Sequence, residues 1–218
     1  MEATSTKLTG HGMTTMHYVG AALATIISVL ASAAALKTLF VIFFGGSEAA
    51  LSAILFGSSS YTGLIAAAVT AVVFALVAFF LYRQVSRRVA ERPQYMTTTA
   101  YRVVTYGVFM IFALLTVLFV SDLVATLLSS LLLIGSSTDI GALYLTGFLP
   151  TLFYTGLVAF VAAMLYMIVK GKNKSLLLTI VLLSVTGATL LAAIITTPIQ
   201  AHSSSSSSSY DYSDMFDY

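Results

Sequence analysis

The sequence predicts an all-α, polytopic membrane protein with five transmembrane helices. Three observations predict it. The 218 residues are 59% hydrophobic and 8% charged, against roughly 25% charged in an average soluble domain. Mean hydropathy is +0.99. The apolar residues fall in long runs, and a crossing needs ~20 residues. A soluble fold of this size lacks the polar groups to wet such a surface. Soluble enzymes, DNA-binding domains and disordered regulators are therefore excluded.

Residues 1–16 are polar, Thr-rich and carry only Lys7 among the bases. They read as a polar N-terminal segment before a bundle over 17–197. The first span runs from about Tyr18 to Phe44 and stops at Gly45-Gly46. It exceeds the ~7–15 apolar residues of a signal peptide, so it reads as a retained helix. Ala49 to Phe56 is too short to cross and belongs at the interface or on the helix ends. Gly57-Ser58-Ser59-Ser60 signals a turn.

The second span covers about 61–82 and is followed by Arg83, Arg87, Arg88, Arg92 and Pro93. The third covers about 101–134, carries Ser121-Asp122 and ends at Gly135-Ser136-Ser137. The fourth covers about 142–169, and Pro150 near its start predicts a kink. Lys170-Gly171-Lys172-Asn173-Lys174 separates it from the fifth, about 176–197, which Pro198 is expected to end. Residues 198–218 form a linker and tail. Ser203 to Ser209 is an unbroken serine run with nothing to pack.

Basic residues set the orientation. Lys7, Arg83, Arg87, Arg88, Arg92, Arg102, Lys170, Lys172 and Lys174 lie on the N-terminal segment and on the second and fourth loops. The first and third loops and the tail carry only acids: Glu48, Asp139, Asp211, Asp214 and Asp217. Basic loops stay cytoplasmic. The N-terminus is expected inside and the C-terminus extracytoplasmic, in a multi-pass cell-membrane protein. Topology explains these charges without nucleic-acid binding.

Tyr61-Thr62-Gly63-Leu64-Ile65-Ala66 in the second span matches Tyr154-Thr155-Gly156-Leu157-Val158-Ala159 in the fourth. The chain reads as two helical hairpins of the same orientation plus a fifth helix; chance matching of apolar sequence is the alternative. Gly63, Ala67, Ala71 and Ala75 form a small face on the second helix, as do Ser184, Ala188 and Ala192 on the fifth. Such faces allow close packing, inside the chain or against another protein.

Lys37 lies about 19 residues beyond Tyr18, or ~28 Å, and Asp122 about 21 beyond Tyr101, or ~31 Å. Equal depth predicts an intramembrane ion pair between Lys37 and Asp122; separate snorkelling to the headgroups is the alternative. No Cys is present, so thiolate metal sites and thiol nucleophiles are excluded. His11, His17 and His202 are not expected to share a haem or metal site. Neither a catalytic constellation nor a cofactor motif is recognisable, and no cofactor is expected. The tail interleaves Tyr210, Tyr212, Phe216 and Tyr218 with Asp211, Asp214 and Asp217 behind the serines. It suits docking of a partner on a flexible tether; a disordered solubilising tail is the alternative.

Tyr82-Arg83-Gln84-Val85-Ser86-Arg87-Arg88 and Leu118-Phe119-Val120-Ser121-Asp122-Leu123-Val124, on this hairpin plan, are similar to a bacterial membrane domain family of unknown function. That family is common in ultrasmall candidate-phylum bacteria. The resemblance covers about residues 13–170 and implies bacterial origin and an all-helical bundle. It implies no site residues.

The sequence thus points to a non-enzymatic membrane scaffold or accessory subunit in the lipid bilayer. It would dock a membrane or extracytoplasmic protein, or copies of itself. A small oligomeric transporter or channel is the competing reading.

Overall fold

The computed structural model describes residues 2–44, 61–132, 144–172 and 174–206. Among the described residues five α-helices follow in order: α1 (Glu2–Phe44), α2 (Tyr61–Glu91), α3 (Thr99–Leu132), α4 (Leu149–Val169) and α5 (Ser175–Ser206). All five are long and apolar enough to cross a membrane, so the protein is an all-α multi-pass membrane protein. No strand occurs among the described residues. In lipid, only such internally bonded backbone satisfies its own N–H and C=O groups.

The helix ends differ from the expected spans. α1 begins at Glu2, because the Thr-rich segment contains no proline to stop a helix. α2 carries Arg83, Arg87 and Arg88 as helical residues and ends at Glu91. Pro93 then opens a short 3-10 turn, Pro93–Thr97. The irregularity expected at Pro150 falls at the start of the fourth span. Pro150 sits in the first turn of α4, where its missing N–H is least needed, and a π-helical turn, Tyr144–Phe148, precedes it. Pro198 does not end α5, which continues to Ser206. Proline removes only its own bond to the preceding turn, and the remaining helical bonds carry the chain on. Residues 203–206 are therefore helical rather than linker. Residues 45–60, 133–143 and 207–218 lie outside the described residues, and with them the interfacial piece, Glu48 and Asp139.

The two expected hairpins form: α1 packs along α2, and α3 along α4. α5 lies against α2, and α1 joins the hairpins through α4. α3 is the edge of this arrangement. Only 11% of its most apolar window is buried, against 44% for the Tyr144–Val169 span. The repeat motif is not in the same register in the two hairpins. Tyr61 opens α2, whereas Tyr154 follows the first turn of α4.

Small residues build the α1–α2 contact. Ala21, Ala24, Ser28, Ser32 and Ala35 on α1 face Ala68, Ala71, Ala75 and Ala78 on α2, all buried. The α2 seam advances by alternating steps of three and four residues, from Leu64 through Ala78 to Tyr82. The expected i+4 row is only partly right: Ala71 and Ala75 are in the seam, but Gly63 and Ala67 are half-buried at its edge. The backbones come close enough for the Ser28 hydroxyl to donate to the Ala71 carbonyl at 2.8 Å.

The small face expected on α5 is not the one that packs inside the chain. Ser184 and Ala188 are exposed, and Ala192 is half-buried. The buried face is Leu178, Thr179, Leu182, Thr186, Thr189, Ala193 and Thr196. Threonine can be buried there because its hydroxyl turns back onto its own helix. Thr189 donates to the Val185 carbonyl at 2.8 Å, Thr179 to Leu176 at 2.9 Å, and Thr196 to Ala192. With the hydroxyl satisfied, only the methyl faces the core.

Candidate functional site

Lys37 and Asp122 are the charges placed deep in the spans by sequence, and the structure does not join them. Both side chains are exposed. Asp122 instead takes a proton donor from α4: the Tyr154 hydroxyl lies 2.7 Å from its Oδ2. A hydroxyl has one proton, and the charged acceptor outcompetes the Thr151 hydroxyl, which lies further off at 3.1 Å. Thr151 in turn donates to the Gly147 carbonyl at 2.7 Å.

The surrounding contacts hold this junction in place. Tyr154 is buried, and its ring meets Phe119 of α3 edge-on, with centroids 5.0 Å apart. One residue on, the Thr155 hydroxyl donates to the Phe119 carbonyl at 3.3 Å. The second Asp122 oxygen has no hydrogen bond among the described residues. Ser121, Asp122, Ala125 and Ser129 are all exposed on α3. Ser121, Ala125 and Ser129 are four residues apart, so they stack on one helix face.

Past Asp122 the helix stays apolar, with Leu127, Leu128 and Leu131 exposed. From Arg102 to Leu131 it rises about 44 Å. The far end of α3 presents a carboxylate, a row of small residues and exposed leucines.

At the opposite, basic end, three tyrosines close the core. Tyr18, Tyr82 and Tyr101 are buried. Tyr18 lies 5.8 Å from Tyr82 and 5.2 Å from Tyr101, centroid to centroid. The Thr105 and Thr25 hydroxyls lie near those of Tyr18 and Tyr82, but both threonines donate to their own helices, at Tyr101 and Ala21. The Tyr18 and Tyr82 hydroxyls are left without a hydrogen bond of good geometry. Beside them, the Ser86 and Ser175 hydroxyls join α2 to α5 at 2.8 Å. Sequence reasoning missed this cluster, although all three tyrosines mark the basic ends of spans.

A third feature is an apolar groove of about 590 Å³ between α1, α4 and α5. Phe40, Phe44, Phe153, Phe160, Val185 and Ala188 are among its walls. Ala188, expected in an internal contact, thus lines a surface concavity. The tail residues Tyr210, Asp211, Tyr212, Asp214, Phe216, Asp217 and Tyr218 lie outside the described residues. Comparison with protein-family models, curated proteins and solved structures gives no match.

Proposed function

We propose that this chain is a non-enzymatic membrane scaffold or accessory subunit whose α3 face docks a transmembrane helix of another protein. The observation that carries this reading is the far half of α3. It is the least covered part of the bundle, and it holds Asp122 with one oxygen unpaired among the described residues. A charge near hydrocarbon depth is costly without a partner. The row Ser121, Ala125 and Ser129 suits close approach of a second helix. A donor or cation on that helix would complement the free carboxylate oxygen. The exposed leucines would gain cover from the same contact.

The orientation proposed is N-terminus cytoplasmic, by the placement of the basic loops. The acidic–aromatic tail then lies outside, tethered near the far end of α5. It would act as a second attachment, raising the local concentration of the same partner. A bacterial origin rests on the sequence resemblance. The competing reading, a small oligomeric transporter, would be favoured by a polar cavity reaching Asp122. The groove next to Phe153, one residue from Tyr154, is instead apolar.

Affinity purification from native membranes tests the proposal. Asp122→Leu and deletion of residues 203–218 should each reduce recovery of one membrane partner, and the combination should abolish it. Unchanged recovery in all three would contradict the reading.

A further inference from the structure

A cleft of about 400 Å³ opens at the basic end between the start of α3 and the end of α4. Arg102, with Tyr101, Thr105 and Tyr106, lines it from α3, and Lys170 lines it from the end of α4. Met96, Ile168 and Val169 form its apolar portion. We propose that this cleft binds the phosphate of an anionic phospholipid headgroup.

Charge supports the assignment. Arg83, Arg87, Arg88, Arg92, Lys172 and Lys174 gather at the same end, with the Glu91 carboxylate set among them. Neither Arg102 nor Lys170 has an acidic partner among the described residues. Lys170 is held by a cation–π contact, its Nζ 4.6 Å from the Tyr166 ring centre. That ring is braced by Phe109 of α3 at 5.7 Å. The ammonium is thus positioned without being neutralised.

Backbone electrostatics also fit. Arg102 lies in the first turn of α3, where the helix dipole favours an anion. The end of α4 would oppose one through its free carbonyls, but three of its last four are capped. Lys170, Gly171 and Lys172 amides bond back to Tyr166, Ile168 and Met167 at 3.0, 2.9 and 3.0 Å. Gly171 makes that turn possible with φ of +79°.

Position selects the lipid over a soluble phosphate ester. The cleft sits where two spans meet their loops, at headgroup level, and its apolar wall continues onto the lipid-facing helices. Basic clefts between helices at this level suit anionic headgroups. The inference rests on membrane embedding and is independent of the scaffold reading.

Native mass spectrometry of the full chain in nonionic detergent tests it. Phosphatidylglycerol, phosphatidylcholine and glycerol phosphate are titrated separately. One tight phosphatidylglycerol adduct is expected. Arg102→Gln with Lys170→Gln should weaken it about thirtyfold, the weight of two surface cations. Arg102→Lys with Lys170→Arg, which keeps both charges, should retain binding and shows that the site tolerates substitution. Arg83→Gln with Lys172→Gln removes the same charge from the surrounding cluster, outside the cleft lining, and should weaken binding by a clearly smaller factor. Equal binding of phosphatidylcholine would overturn the proposal. So would an equal loss in the Arg83/Lys172 pair, or equally tight binding of glycerol phosphate alone.

Discussion

At the residue scale, hydroxyl chemistry decides the interior. The hydrogen bond from Ser28 to the Ala71 carbonyl exists because both sides of the α1–α2 seam are small. Ser28→Ala should lower stability by about 1 kcal/mol, the usual weight of one such bond. Ala71→Leu should cost more, about 1–3 kcal/mol, because it separates the backbones. Unfolding in detergent with increasing denaturant measures both. Tyr82→Phe is expected to be neutral or slightly stabilising, since it removes a buried hydroxyl lacking a well-formed bond; a loss above ~1 kcal/mol would show that the hydroxyl is satisfied. The Asp122–Tyr154 contact was only half legible in the sequence. Helix rise sets Asp122 near the outer edge of the hydrocarbon core, and Lys37 is the opposite charge at matching depth. The donor was a tyrosine one helix later, conspicuous only as part of the repeat.

At the element scale, the number and order of the helices were legible from apolar run length. Their ends were not. The polar segment before Tyr18 holds no proline to stop a helix, and Pro198 removes only its own backbone bond, so α1 and α5 run beyond the apolar stretches. The packed face of α5 was also hidden. Small residues were sought, but the buried row is largely threonine, whose hydroxyls bond backward. Thr189→Val should therefore change stability by no more than about 1 kcal/mol, the weight of one local hydrogen bond. Leu182→Ala, which empties a fully buried site on the same face, should cost about 2–5 kcal/mol. The same denaturation assay separates them, and equal losses would mean the threonine hydroxyls bond across helices.

At the whole-molecule scale, uneven charge and uneven packing describe the same object. One end collects the arginines and most of the lysines, and the other carries the exposed carboxylate of Asp122 and the exposed leucines of α3. Charge asymmetry was legible loop by loop. Which helix stood at the edge was not, because all five read as similarly apolar and only three-dimensional contacts distinguish them. Absence of native Cys makes orientation directly measurable. A Cys at Lys172 should resist a membrane-impermeant maleimide in intact cells, and one at Asp211 should react. The reverse pattern would invert the proposed topology.

The docking role of α3 is most directly tested by photo-crosslinking in native membranes, with a reactive residue placed in turn at positions 117 to 131. Adducts to one other polypeptide should peak at 121, 125 and 129, fall at intervening positions, and vanish with Asp122→Leu. Adducts only to lipid, with no helical periodicity, would contradict a docking face, and adducts only to a second copy of the chain would make it a self-association surface instead.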